Sequence, residues 1–364
     1  MPKGRFNMRK MTKSHVMLAV TGIAVAVAAF LLTRWGNPKN MGFCIACFIR
    51  DIAGAMKFHS AAPVQYLRPE ILGIVLGSFV MSLVRNEFKP RGGSAPALRF
   101  LIGAGVMIGA LVFLGCPLRM IIRLAGGDLN ALVGFAGFAL GIGFGSFFLN
   151  QGFSLGKSDS KSAVEGAVAP AVQVGLIVLV VSASSLFVFS QKGPGSMHAP
   201  VYAALIAALI VGALSQMSRI CCAGGIRDIY LTRDLTLFVA PFTIFVVLTI
   251  LNLIGKSYNF GFAGAELVAH SDHLWNLLSM FAVGLGSIML GGCPLRQLVL
   301  AGEGNSDSFI TCIGMFVGAA ISHNFGLAGV AGQGATSNGK VAVCVIIAFF
   351  ACVAALISHK NRRA

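Results

Sequence analysis

Two cysteine-bearing segments each occur twice in this sequence. Cys44 lies six residues before Arg50-Asp51-Ile52, and Cys221 lies six residues before Arg227-Asp228-Ile229. Gly115-Cys116-Pro117-Leu118-Arg119 returns letter for letter as Gly292-Cys293-Pro294-Leu295-Arg296. The offset is 177 residues in both cases, from 44 to 221 and from 116 to 293. One shared offset implies an internal duplication that kept thiols, arginines and a Cys-Pro step. Proline breaks a helix but is favoured at the first position of a new one. Pro117 and Pro294 therefore place Cys116 and Cys293 at a helix N-terminus, where free N–H groups and the helix dipole favour an anion, a thiolate included. Arg119 and Arg296 add positive charge on the same first turn. A single such site reads most simply as a proline kink with a packed cysteine; an identical duplicated pair favours a functional reading.

Arg50 and Asp51, with their copies Arg227 and Asp228, are costly in an apolar chain and are expected to pair with each other or to serve function. A structural ion pair pinning a re-entrant loop satisfies the pattern. Cys44-x-x-Cys47 has metal-ligand spacing, but its copy carries Gly224 where the second cysteine would be, and no histidine completes a zinc site. No metal or cofactor is expected. Cys312, Cys344 and Cys352 lie inside apolar runs and read as packing residues. The 152–158 stretch is one residue short of a phosphate-binding loop and has no second nucleotide motif, so ATP hydrolysis is excluded.

These residues are embedded in a chain that is 56% hydrophobic and 11% charged, against roughly 25% charged in soluble domains. Apolar runs at about 16–35, 64–84, 98–115, 130–149, 168–190, 199–217, 234–254, 273–291, 308–329 and 339–358 each approach the roughly 20 residues that span a bilayer. The reading is an all-α integral membrane protein of about ten transmembrane helices. The net charge of +16 does not indicate nucleic acid, because the basic residues flank the apolar runs. Their distribution predicts cytoplasmic termini, with Lys3, Arg5, Arg9, Lys10 and Lys13 at one end and Lys360, Arg362 and Arg363 at the other. By the same rule 191–198 and 255–272, the latter with Glu266 and Asp272, are outer loops. The 36–63 segment breaks the rule with Lys39, Arg50 and Lys57, and is predicted to be partly re-entrant. Residues 1–33 resemble a signal peptide, yet the duplication carries this run onto 199–217, which predicts a retained helix. The cysteines sit in or beside apolar runs, not in a disulfide framework.

Five runs fall in residues 1–192 and five in 193–364. An odd number per copy forces the second copy to enter the membrane in the opposite sense, giving inverted repeats with a substrate path at their interface. The broken helices at the Cys-Pro steps are tolerated where they line that path.

The motifs Arg219-Ile-Cys-Cys with Arg227-Asp228, and Gly-Gly-Cys293 followed by a Leu-Ala-Gly turn, resemble the YeeE/YedE family of bacterial inner-membrane sulfur transporters, which includes the thiosulfate permease. Gly-Cys-Pro-Leu-Arg and Gly42-Phe-Cys-Ile-Ala-Cys-Phe-Ile-Arg-Asp look like the YedE branch associated with selenium metabolism. The resemblance implies an hourglass-like inverted-repeat fold. It implies central cysteines, here Cys44, Cys116, Cys221 and Cys293, that relay a small sulfur or selenium anion by hydrogen bonds, and a possible cytoplasmic TusA-like sulfur-carrier partner. Proline after the cysteine departs from many members and leaves thiosulfate and selenium species both open as substrate. The enzyme alternative is a membrane sulfur or selenium transferase holding a cysteine persulfide or selenosulfide. A channel or scaffold using the cysteines only for packing is a third reading, and it predicts tolerance to Cys→Ala.

Overall fold

The computed structural model describes residues 8–262, 264 and 267–363, so Lys3, Arg5 and Glu266 lie outside the described residues. Among these, fourteen α-helices appear in chain order. The first seven are α1 (Met8–Arg34), α2 (Ile45–Ala55), α3 (Pro69–Val84), α4 (Pro96–Val112), α5 (Pro117–Ala125), α6 (Asn130–Asn150) and α7 (Ala163–Ser182). The next seven are α8 (Val201–Ser218), α9 (Cys222–Thr232), α10 (Val239–Ile254), α11 (His273–Met289), α12 (Pro294–Gly302), α13 (Ser306–Asn324) and α14 (Ser337–Arg363). Among the described residues the strands are β1 (Arg91–Gly92) and β2 (Asp159–Ser160), which form a two-residue antiparallel ladder between two loops. Eight helical stretches are long and apolar enough to cross a membrane, and α10 is a shorter apolar helix. The chain is an all-α, multi-pass membrane protein.

Each of the ten apolar runs is helical, and the additional helices are the four short ones that begin at the duplicated cysteine motifs. Shifting the first half by 177 residues carries α2 onto α9, α4 onto α11 and α5 onto α12 with coincident ends. Between these anchors the register slips and recovers. The α2–α3 connection has thirteen residues (56–68) against six (233–238) for α9–α10. The α3–α4 connection has eleven (85–95) against eighteen (255–272) for α10–α11, so the seven residues are regained before the Cys-Pro step.

The halves interleave. Helix α6 packs along α11 and α13 along α4; α3 packs along α8 and α1 along α10. The contacts are glycine-mediated: a Cβ on Gly137 would collide with the Leu277 carbonyl, and one on Gly314 with the Phe100 carbonyl. Such small-residue seams let membrane helices approach backbone to backbone. Helix α1 packs against both α8 and α10. All eleven residues of α2 are buried, Arg50 among them, whereas Lys57 just beyond it is exposed. The charge of the 36–63 segment is thus divided between an interior helix and a surface turn. Cys312 is half-buried and Cys344 and Cys352 are exposed on α14, so the last two face outward and do not pack in the interior.

Candidate thiol path between broken helices

The four duplicated cysteines are all N-caps of short helices. Cys44 caps α2 and its Sγ accepts from the Cys47 N–H at 3.3 Å; Cys221 caps α9 and accepts from the Gly224 N–H at 3.2 Å. Cys116 and Cys293 cap α5 and α12, with Pro117 and Pro294 at the first helical position of each. Oxygen-bearing side chains are the strong N-caps, and sulfur is a weaker acceptor. Four cysteines at four caps are thus a poor choice for helix stability, and the property they supply is the thiol.

The glycine of each Gly-Cys-Pro-Leu-Arg motif clears space for the arginine. A Cβ on Gly115 would lie 3.3 Å from Cδ of Arg119, and one on Gly292 would lie 2.9 Å from Cγ of Arg296. Each arginine folds back over the start of its own helix. The chain reverses before the motif through a left-handed residue at equivalent positions, Leu114 (φ 63°) and Gly291 (φ 78°). Leu114 is buried, whereas Gly291 is exposed.

The caps meet in pairs. The Ile45 N–H, first on α2, donates to Cys116 Sγ at 3.2 Å, and the Cys293 N–H donates to Cys221 Sγ at 3.4 Å. These bonds bring Cys44 and Cys116 together at one pair of helix starts, and Cys221 and Cys293 at the other. All four are buried and free. Two helix N-termini therefore converge on each thiol pair, and each end carries roughly half a positive charge. This is an anion-favouring arrangement, made twice.

The arginines differ between the copies. Arg119 is fully buried and spread over neutral groups: the Leu114 and Asn40 carbonyls, the Leu267 carbonyl at 2.8 Å and Cys47 Sγ at 3.5 Å. Among the described residues no carboxylate lies within ion-pair distance of it. Arg296 instead pairs with Glu303 at 3.0 Å and is 13% exposed. Asp51 is wholly buried between Arg50 and Arg68, both at 2.7 Å. Arg68 also donates to the Pro194 and Met197 carbonyls. Asp228, the copy of Asp51, pairs among the described residues only with Arg227, at 2.7 Å, and both are partly exposed. A further buried pair, Arg123 with Asp128 at 2.7 Å, belongs to the first half alone. The first thiol pair is embedded in locked cationic surroundings; the second lies nearer solvent.

A cavity of about 590 Å³ opens between α1, α10 and the loop after α10. Its described lining carries Arg34, Lys39 and Lys256 and no carboxylate, and includes Asn40 and Leu267, two of the residues that hold Arg119. The 255–272 loop that covers this side is anchored by His270, whose Nε2 lies 2.8 Å from the Val112 carbonyl while its Nδ1 accepts from Asp272 N–H at 3.3 Å. Burial pulls the His270 imidazole below its ordinary range.

Cys47 and Cys222 escape a reading based on the repeat. Neither recurs at the 177 offset, since Gly224 and Ile45 occupy the corresponding positions. Yet the Cys47 N–H donates to Cys44 Sγ at 3.3 Å, its own Sγ accepts from Arg119 at 3.5 Å, and Cys222 opens α9 directly after the Cys221 cap. The Cys-x-x-Cys spacing at 44–47 was the one available signal, and its metal reading concealed it. Among the described residues no group of three metal-binding side chains is present.

Residues 217–363 match the family model described as sulphur transport. This stretch holds Cys221, Cys293 and most of the second half, and the match supports a role in sulfur transport. No curated protein matches the chain.

Proposed function

We propose that this protein carries a small sulfur- or selenium-containing anion, thiosulfate or a selenium species, across the bacterial inner membrane along Cys44, Cys116, Cys221 and Cys293. The observation that carries the reading is the convergence of two helix N-termini on each of two buried thiol pairs. The two halves, 1–192 and 193–364, act as inverted repeats whose interface is the path. Amide dipoles and Arg119 attract the charge without fixing it as a carboxylate-bound ion would be fixed. The thiols offer soft, weak S–H donors to a sulfur or selenium atom. The cationic cavity collects the anion at the Arg119 side, and the exposed turn at Gly291 marks the other mouth. With both termini cytoplasmic, the cavity faces outward and flow runs from Arg119 toward Arg296, where a TusA-like carrier would take the product. Arg50, Asp51, Arg227 and Asp228 support the short helices structurally, and Pro117 and Pro294 start them.

Reconstituted protein with each of the four cysteines changed singly to serine tests this. The reading expects thiosulfate or selenite uptake to fall in every variant; full uptake in all four would remove the relay.

A further inference from the structure

The second thiol pair has a buried acceptor beside it with nothing to accept from. Gln297 is 1% exposed on α12. Its backbone N–H donates to the Cys293 carbonyl at 3.0 Å, so its side chain lies one turn from that thiol on the same helix face. Its Nε2 donates to the Leu290 and Gly292 carbonyls, both at 3.2 Å. Two carbonyl partners fix which end of the amide is nitrogen. The other end, Oε1, is buried, and no donor among the described residues reaches it. The first half is built differently. The counterpart of Gln297 at the 177 offset is the buried Met120. There the turn is held by a cation, since Arg119 donates to the carbonyl of Leu114, the counterpart of Gly291. In the second half a neutral amide holds the carbonyls on either side of Gly291, and Arg296 pairs with Glu303. The exchange takes a positive charge off the turn and leaves an acceptor. The repeat does not require it, because methionine serves at the equivalent place.

The turn also has open space. Gly291 is exposed, and a Cβ built on it would meet nothing within 4 Å. Next to it the N-termini of α9 and α12 come together at Cys221 and Cys293. Their positive ends oppose a cation and favour an anion. An unpaired buried acceptor opposes a fully deprotonated oxyanion, which presents only lone pairs to it. Both demands are met by an anion that still carries a hydrogen. We propose that Gln297 is a specificity-determining residue that selects, at the second thiol pair, a small monoanion keeping one proton, of the hydrogen selenite or hydrogen sulfite kind. The ligand O–H donates to Oε1, and its charge faces the two helix N-termini. Thiosulfate, which holds no proton in neutral water, is disfavoured at this point. This rests on the relay reading above and narrows its substrate.

The test is initial-rate uptake into proteoliposomes, using the full chain, with labelled selenite, sulfite and thiosulfate as probes. A mildly acidic buffer keeps the first two largely monoprotonated and leaves thiosulfate without a proton. The variants are Gln297→Met, which copies the first half, and Gln297→Asn, which keeps an amide but draws the acceptor back. Cys116→Ala reports on the relay, and Cys352→Ala on exposed α14 is the neutral control. The wild type should show a lower KM for selenite or sulfite than for thiosulfate, and the preferred one of the two assigns selenium or sulfur. Loss of a hydrogen bond to a charged partner predicts a rise in that KM of about tenfold in Gln297→Met. The thiosulfate KM should stay the same or fall, because the opposing acceptor is gone. Gln297→Asn should shift the preference in the same direction, and monodisperse elution in detergent shows that each variant is folded. Equal changes for all three anions in both variants would make Gln297 a support for the turn alone and overturn the proposal. A wild type that prefers thiosulfate would overturn it without any variant. A fully active Cys116→Ala, or a wild type that takes up none of the three, would overturn the relay reading beneath it.

Discussion

At the scale of single residues, function and stability are separable at the caps. Serine caps a helix better than cysteine, so Cys44→Ser and Cys221→Ser should keep thermal stability in detergent or raise it by up to about 1 kcal/mol, while uptake falls. A parallel loss of both would mean that these sulfurs are packing atoms. The aspartates make the complementary case. Removing Asp51 strands Arg50 and Arg68 in the interior, a change that costs about 3–5 kcal/mol for a buried ion pair. Asp228→Ala, whose pair with Arg227 is partly exposed, should cost under about 1 kcal/mol. Thermal unfolding of the two variants side by side checks this, and equal shifts would contradict the asymmetry. The duplicated cysteines, arginines and aspartates were legible from one sequence because repetition singles them out. Cys47 was not, because its contact with Arg119 runs between α2 and α5. The burial of Asp51 by Arg68 was equally hidden, since position 68 has no charged copy in the second half.

At the scale of elements, the broken helices were legible in Cys-Pro and the apolar runs in hydropathy. The short helix α2 was visible only as a charge anomaly and α9 only as the copy of its motif, since eleven residues are too few to register as a span. The 255–272 loop is the element with the plainest pH response. Its His270 keeps both hydrogen bonds only as the neutral tautomer with hydrogen on Nε2. Its folded-state value is lowered by burial, so the bond to Asp272 contributes stability above the ordinary value of 6.5. That stability is lost as pH falls below it. Amide protection in this loop, taken relative to the unstructured exchange rate at each pH, should fall between neutral pH and about pH 5, and His270→Gln should flatten the response. Unchanged protection across that range would contradict the assignment. The Gly115 step is a second element-scale test. Valine there meets Arg119 at its Cδ, should displace the guanidinium from Cys47 and the Leu267 carbonyl, and should lower uptake affinity more than it lowers expression.

At the scale of the whole molecule, the odd count of apolar runs per half and the common offset led to inverted repeats. The coincident ends of α2, α4 and α5 with α9, α11 and α12 show how strictly the motif-bearing elements kept their register. The connections around them did not keep it, which is why a single offset could not place α3 on α10. A further departure from the repeat is electrostatic: the motif arginines Arg50 and Arg119 are buried, whereas their copies Arg227 and Arg296 are partly exposed. In this orientation, a cysteine introduced at Lys192 should react with a membrane-impermeant thiol reagent in intact cells, and one at Lys157 should react only after lysis. The reverse pattern would invert the topology and with it the direction of flow. The most direct measurement is uptake of radiolabelled thiosulfate and selenite in cells lacking their own importers, wild type beside Cys293→Ala. The account predicts uptake of at least one anion by the wild type and its loss in the variant. Equal uptake by both proteins would contradict it.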